Sequence, residues 1–253
     1  MSNETISIPG IYTSTANLTA TANSTTVTDT LTIDHGATDD FDHLILGVLP
    51  SSSGTITGAG DLSINASGLG SGDYFKWMYG DVSGICILTI GPYATFYLPG
   101  TGTLSRELEN QGIVDWEGDG GVFFNGVTVN NDPGALFDYQ TPGPGFVSVF
   151  NNSGTLELGA YALQPLTVGT YTQTNEGTLQ SDIASASLFG TLDVLGTATL
   201  AGTVDGYLLG SYQPPAGTSF GILSFASSSG QFTAIEPQGW YAVYGSTFVD
   251  LVV

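Results

Sequence analysis

The feature that most constrains this chain is a repeat in which glycine and threonine precede an aliphatic residue. The tripeptide occurs six times, as Gly54-Thr55-Ile56, Gly102-Thr103-Leu104, Gly154-Thr155-Leu156, Gly177-Thr178-Leu179, Gly190-Thr191-Leu192 and Gly202-Thr203-Val204. From Gly112 through Gly134, Gly154 and Gly177 the glycines recur at intervals of 22, 20 and 23 residues, the length of one coil of a parallel β-solenoid. One coil cannot bury its apolar face by itself, so successive coils have to stack. The repeat therefore predicts an all-β fold, a parallel β-solenoid (β-helix).

The segments around these glycines share one pattern that marks each coil. Residues 110–116, 131–137 and 152–158 each begin with an asparagine-containing turn, continue through a glycine and end in alternating apolar side chains. We expect asparagine and glycine at these corners because both tolerate left-handed backbone angles. The inward-facing apolar side chains should then stack on their equivalents one coil away.

Changes in spacing divide the chain into three predicted regions. Residues 1–34 form an extended N-terminal strand segment, since residues 12–33 alternate strictly between polar and small apolar side chains. Residues 35–205 form the β-solenoid, and the closer spacing of Gly177, Gly190 and Gly202 indicates two strands per turn or hairpins. Residues 206–253 supply C-terminal strands and a cap, in which 240–244 and 247–253 form a β-hairpin over the last coil.

The charge balance excludes two classes of partner. Only Lys76 and Arg106 are basic against 23 acidic residues, for a formal net charge of -21. Binding to nucleic acid needs cations that replace condensed counterions, and anionic membrane surfaces need the same. We therefore expect no nucleic-acid partner. We also expect no membrane insertion, because no stretch approaches the roughly 20 apolar residues of a membrane helix. Charged residues are only 10% of the chain and lie dispersed among Gly, Ser and Thr, which favours an extracellular or cell-surface location.

The N-terminus and the cysteine content bear on the same location. The first four residues lack the basic start and the apolar run of a signal peptide, so either export information was removed or the chain is a piece of a longer protein. Cys86 is the only cysteine, which rules out an intrachain disulfide. Its apolar neighbours predict a small buried side chain.

The C-terminal part of the chain resembles a known family. Residues 150–183 and 190–204 look like the β-helical stalks of bacterial surface proteins, and they are similar to autotransporter passengers and planctomycete-type adhesins. Residues 212–223 and 230–232 resemble the segment that closes such stalks. The resemblance covers about the C-terminal half to three fifths of the chain and implies a surface-exposed stalk.

One acidic segment is a candidate metal site. Residues 34–43 hold both histidines and the acids Asp34, Asp39, Asp40 and Asp42, and the pattern predicts a loop between coils. Asp39, Asp40 and Asp42 could supply oxygen ligands to calcium, although their spacing does not match an EF-hand loop. A plain acidic loop is the alternative interpretation.

Carboxylates near Trp116 are the best candidates for catalysis. Paired carboxylates act as acid and base in glycoside hydrolysis, and Asp115, Glu117 and Asp119 lie together beside a tryptophan. A solvated turn is the alternative interpretation and the one that we favour, and the two cations of the chain are too few for an acidic sugar substrate. We therefore predict a protein that is not an enzyme.

Two functions remain from the sequence. The first is an extracellular structural β-solenoid that acts by adhesion or by self-assembly into fibres, as a homo-oligomer or polymer joined end to end or by strand addition. The second is a carbohydrate-binding or carbohydrate-active spike domain whose partners are surface glycans. In the second, the stacking platforms would be Trp77, Tyr79, Trp116 and Trp240, and packing of these rings in the core or cap is the alternative.

Overall fold

The structure is a computed structural model, and it describes residues 5–8, 11–14, 24–27, 30–33, 38–41, 43–46, 54–58, 61–64, 74–85, 87–118 and 122–253. All of its regular elements there are strands. In chain order the first fourteen are β1 (Thr5–Ile8), β2 (Ile11–Ser14), β3 (Ser24–Val27), β4 (Thr30–Ile33), β5 (Thr38–Phe41), β6 (His43–Leu46), β7 (Gly54–Gly58), β8 (Asp61–Ile64), β9 (Tyr74–Trp77), β10 (Tyr79–Val82), β11 (Leu88–Ile90), β12 (Thr95–Tyr97), β13 (Thr101–Leu104) and β14 (Leu108–Asn110). The remaining fourteen are β15 (Ile113–Trp116), β16 (Val122–Asn131), β17 (Leu136–Tyr139), β18 (Gly145–Asn152), β19 (Thr155–Leu158), β20 (Leu166–Gln173), β21 (Thr178–Ser185), β22 (Leu188–Phe189), β23 (Leu192–Leu200), β24 (Thr203–Leu208), β25 (Ser219–Gly230), β26 (Ala234–Glu236), β27 (Tyr241–Tyr244) and β28 (Phe248–Val252).

These strands form two sheets whose members come from successive coils. Sheet I runs β1-β3-β6-β9-β12-β15-β17-β19-β21-β24-β26, and sheet II runs β2-β4-β7-β10-β13-β16-β18-β20-β23-β25-β28-β27. Strands from neighbouring coils pair in parallel, whereas β21 with β22, β25 with β28 and β27 with β28 are the antiparallel pairs of the described chain. The predicted all-β parallel β-solenoid is confirmed.

The early coils contribute a third strand, and this strand later merges with its neighbour. Strands β5, β8, β11 and β14 stack on one another beside sheet II. β14 and β13 both pair with the ten-residue strand β16, β13 with its first part and β14 with its last part. From β16 onward one long strand therefore takes the place of two shorter strands. A register shift between Phe124 and Thr128 marks the boundary between its two parts.

The core consists of columns of apolar side chains that follow the axis of the solenoid. Strand β9 alternates half-buried and buried residues, and β17 and β19 repeat that pattern. Phe75 stacks on Phe96 with ring centroids 4.7 Å apart, and Phe137 meets Phe150 edge-on at 5.0 Å. Each ring shields its neighbour from water, so burial is complete only where coils lie on both sides.

A ladder of buried amide side chains lines the corner that follows sheet II. Asn110 donates to Oδ1 of Asn131 at 2.8 Å, and Asn131 donates to Oδ1 of Asn152 at 2.9 Å. Gln173 extends the ladder and donates to the carbonyl oxygens of Gly177, Ala201 and Thr203. The expectation that these asparagines adopt left-handed backbone angles is wrong. Among the described non-glycine residues, Tyr93 is the one with a positive φ. They hold the corner by hydrogen bonds between coils.

The glycine repeat has a steric cause at most of these corners. A Cβ on Gly112 would overlap the carbonyl oxygens of Gly91 and Ala94, and a Cβ on Gly154 would overlap those of Asp132 and Ala135. Gly134 differs, because it has open space around it and a φ of 83°. The close approach of one coil to the next therefore explains the spacing better than turn geometry does.

Replacing Gly154 with alanine should lower the free energy of unfolding by about 2 kcal/mol, because the added methyl group meets backbone atoms that cannot move aside. Urea titration measures this. Gly221 is the control, since its added Cβ would meet Asp250 alone at 3.4 Å, so Gly221→Ala should stay within about 0.5 kcal/mol of the unsubstituted protein. Equal effects at the two sites would contradict the steric explanation.

The N-terminal region differs from its prediction. The expected single strand over 12–33 is wrong, because β2, β3 and β4 are separate strands of four residues that alternate between the two sheets. Their parallel partners are β4, β6 and β7, in the same stacking as the later coils. These described strands therefore follow the stacking of the later coils, and residues 15–23 and 28–29 lie outside the described residues.

The C-terminal cap is confirmed. β27 and β28 form an antiparallel hairpin, and β28 also pairs antiparallel with β25, the last long strand of sheet II. The side chains of Trp240 and Phe220 stack with ring centroids 5.7 Å apart beneath it. Both alternatives for the closer glycine spacing are confirmed, because the late coils place one strand in each sheet, as β21 and β23 do, and β21 also turns back antiparallel onto β22.

Candidate functional site

The predicted calcium ligands lie at the edge of what the structure describes. Asp39 and Asp40 are consecutive residues of β5, and Asp42 lies outside the described residues. The expected loop over 34–43 is wrong for residues 38–41, because these residues pair in parallel with β8. Among the residues that the structure covers, no group of three or more His, Cys, Asp or Glu side chains could hold a metal ion. Calcium binding by Asp39, Asp40 and Asp42 stays a prediction.

The carboxylates proposed near Trp116 separate in the structure. Asp115 lies within β15 with its side chain on the outer face of sheet I, and Glu117 is exposed after the strand ends. Asp119 lies outside the described residues, as does Cys86. Trp116 is fully buried, so its ring does not face a sugar beside Asp115.

Asp115 instead belongs to a carboxylate ladder on the outer face of sheet I. It pairs in register with Asp138, which pairs with Glu157 one coil further along. The same column continues through Gln180 and Asp205 to Glu236. Parallel strands lie about 4.8 Å apart, so each acid is held close to the next one. We name the set Asp115, Asp138, Glu157, Asp205 and Glu236, with the adjacent Asp182, the carboxylate ladder.

Partial burial and mutual repulsion keep protons on this ladder. Desolvation, followed by the charges of Glu117 and Asp138, raises the pKa of Asp115 to about 6. Desolvation, then the charges of Asp138 and Asp182, raises the pKa of Glu157 to about 7, and a hydrogen bond to Asp182 adds to this. The pKa of Asp138 is also raised to about 6, mainly by desolvation. The ladder therefore gains charge near neutral pH.

Two amide side chains connect the members of the ladder. Gln140 donates from Nε2 to Oδ1 of Asp138 at 2.8 Å and reaches Oε1 of Glu157 at 3.5 Å. Gln180 donates to Oδ1 of Asp182 at 3.0 Å. Burial raises the pKa values of Asp182 and Asp205 as well. The site can hold protons and accept hydrogen bonds on the flat wall of a sheet.

The tryptophans proposed as sugar platforms have other roles. Trp77 is 1% exposed and Trp116 is fully buried, so their interpretation as surface platforms was wrong and core packing is correct. Trp240 stacks on Phe220 under the cap, and the side chain of Tyr79 lies outside the described set. Their aromatic area stabilises the coils, which explains why large rings recur in strands.

The two basic side chains, Arg106 and Lys76, differ in how far they are exposed to solvent. Arg106 is 2% exposed, and its Nε and Nη2 atoms donate to the carbonyl oxygen of Ser83 at 3.2 and 2.9 Å. It therefore ties one coil to the next. Lys76 is half-buried in β9 and pairs in register with Tyr97.

Sequence reasoning missed the carboxylate ladder and an exposed groove beside Tyr93. A signal for the ladder was present, because Asp115 and Glu157 each stand three residues after a corner glycine and Asp138 stands four after one. The groove occupies about 540 Å³ between successive corners and is lined by Pro92, Tyr93, Gln111, Gly112, Ile113, Asp132, Pro133 and Gly134. No motif marked Tyr93.

The fold places the chain in the class of parallel β-solenoids. A comparison with protein-family models found no match, and a comparison with curated proteins found none either. None of the described residues forms a helix with the length and hydropathy of a membrane span.

Proposed function

We propose that this chain is a structural β-solenoid of an extracellular or cell-surface protein, which acts by adhesion or self-assembly through its N-terminal end. The observation that supports this most is the difference between the two ends. Among the described residues, β1 and β2 end the two sheets as coil strands with one parallel partner each, whereas at the other end the antiparallel hairpin of β28 and β27 covers sheet II and β26 ends sheet I. An open strand edge offers unpaired N–H and C=O groups to another chain.

The interior supports a mechanical role. Buried apolar residues form one cluster that extends from Ile56 to Leu251, and the amide ladder links coils along one corner. Such an arrangement resists bending and shear, since every coil is hydrogen-bonded to the next along both sheets. A stiff rod suits a stalk or a fibre subunit.

The charge of the chain predicts how assembly depends on salt. At a net charge of -21 two copies repel each other strongly at low ionic strength. The screening length falls from about 30 Å at about 0.01 M to about 8 Å at about 0.15 M salt. Assembly through a short edge contact should therefore need salt.

Sedimentation velocity at about 0.01 M and about 0.15 M salt tests the proposal. We expect the protein to be monomeric at low salt and assembled at high salt. The variant Ile6→Pro/Ser7→Pro should stay monomeric in both, because consecutive N–H groups of β1 point in opposite directions and one of them faces away from β3.

The matched control places two prolines in the strand that ends sheet II. Ala242→Pro/Val243→Pro damages β27 to a similar degree and should leave salt-dependent assembly intact. Circular dichroism of both variants verifies that the remaining coils are folded. A protein that stays monomeric at every ionic strength, or a control that loses assembly equally, would refute the role of the N-terminal end.

A further inference from the structure

The corner between β11 and β12 holds a tyrosine in a conformation that favours glycine. Ala94 N donates to the carbonyl oxygen of Gly91 at 3.1 Å and closes a turn with Pro92 and Tyr93 at its centre. Tyr93 has a φ of 69°. Proline followed by a residue of positive φ defines a type II turn, in which the second position normally carries glycine. The backbone is therefore strained at Tyr93.

A second corner shows that the fold does not require this strain. Ala135 N donates to the carbonyl oxygen of Asp132 at 3.0 Å, and Pro133 and Gly134 occupy the two central positions. Gly134 has a φ of 83°. The same turn thus forms with glycine two coils away, and folding alone gives no reason for a tyrosine.

The strained tyrosine faces the groove between these corners. Its side chain is 54% exposed, and Ile113 beside it is 37% exposed. The prolines of both turns complete the apolar wall, while Gln111 and Asp132 add an amide and a carboxylate to the same groove. Flat apolar faces beside a few hydrogen-bonding groups suit a ligand with the same two chemical features.

We propose that this groove binds an uncharged glycan, with the ring of Tyr93 packed against a sugar face. A pyranose presents an apolar C–H face to an aromatic ring and hydroxyl groups to Gln111 and Asp132. A net charge of -21 and the carboxylate of Asp132 disfavour an acidic glycan. The three corners that line the groove follow one another along the axis, and their spacing of about 4.8 Å is close to one unit of an extended sugar chain.

Isothermal titration calorimetry with four neutral probes tests this proposal: cellohexaose, laminarihexaose, mannohexaose and N-acetylchitohexaose. We expect at least one probe to bind the unsubstituted protein. Tyr93→Gly should weaken that probe about tenfold or more through lost ring contact, and it should raise Tm because glycine relieves the strain. A merely structural tyrosine would not combine lost binding with gained stability.

Two further variants sharpen the test. Tyr161 is a turn residue that is 61% exposed in another corner, so Tyr161→Gly should leave binding unchanged. Tyr93→Phe keeps the ring and should retain most of the affinity. The proposal fails if none of the four probes binds at millimolar concentration, or if Tyr93→Gly binds as well as the unsubstituted protein.

This inference is independent of the proposed assembly. The groove lies on the side wall between β11 and β17, whereas assembly uses β1 and β2. The Ile6→Pro/Ser7→Pro variant should therefore bind the same probe as a monomer. A failure of the unsubstituted protein to assemble with salt would refute the assembly proposal alone, and a failure to bind any of the four probes would refute the glycan proposal alone.

Discussion

Replacing Asn131 with alanine is expected to lower the free energy of unfolding by about 3 kcal/mol, the largest effect of a single side chain that we predict. Asn131 is 1% exposed, so water cannot replace the hydrogen bonds that it loses. It accepts from Asn110 and donates to Asn152 and to the carbonyl oxygen of Thr155, each within 2.9 Å. Removing it leaves buried polar groups without partners on both neighbouring coils.

The adjacent Asn130 provides the control for this measurement. Its amide lies on the outer face, where it donates to Glu107 at 3.0 Å and to Glu109 at 2.8 Å. Water can replace these bonds, so Asn130→Ala should reduce the free energy of unfolding by less than about 1 kcal/mol. Chemical denaturation of both variants gives the comparison. Similar losses at 130 and 131 would show that the buried ladder does not stabilise the corner.

The free energy of unfolding is expected to fall as pH rises from about 4 to about 7. The pKa values of Asp115 and Asp138 are raised to about 6 and that of Glu157 to about 7, all mainly by desolvation. In this range the folded state binds more protons than the unfolded state does, so unfolding is favoured as protons become scarce. The stabilisation is complete below about pH 4 and is lost above about pH 7.

Glu157→Gln tests this dependence at the acid with the most strongly raised pKa. Glutamine cannot ionise, so at pH 8 the free energy of unfolding of the variant should exceed that of the unsubstituted protein by about 1–2 kcal/mol. This value is reduced for solvent screening because the carboxyl group is only half-buried. At pH 4 the two proteins should be equally stable. Denaturant titrations across this pH range measure both quantities.

Glu176→Gln is the control for charge removal alone. Glu176 is exposed and lies outside the carboxylate ladder. Removing one exposed negative charge should change the pH dependence little. A stability that rises between pH 4 and pH 7, or a Glu176→Gln effect as large as that of Glu157→Gln, would rule out the ladder as the cause.

Much of the fold could be predicted because it depends on local patterns. The glycine spacing indicated a coil length, and alternation around Phe137 and Leu156 indicated which side chains face inward. The C-terminal hairpin was equally visible, since bulky residues flank Gly245-Ser246. In each case the information lies within a few residues of the chain, where propensity and period are decisive.

The candidate sites were less predictable because they depend on register. Asp115, Asp138 and Glu157 each look like an isolated solvated acid until parallel pairing places them in one column. Trp116 was proposed as a surface platform, but strand β15 turns its ring into the core. A shift of one residue exchanges the two faces of a strand, so the alternation over residues 113–116 fixed the face of Trp116 only once the pairing of β15 was known.

The amino-acid sequence by itself determined the all-β class, the coil length, the net negative charge and the C-terminal hairpin. These follow from residue type and spacing, which act over short distances along the chain. Only the tertiary structure decided which acids lie in one column, which amides join coils and where a tyrosine stands in a turn that favours glycine. Those properties arise between residues about 20 positions apart, and stacking of the coils is the physical event that brings them into contact.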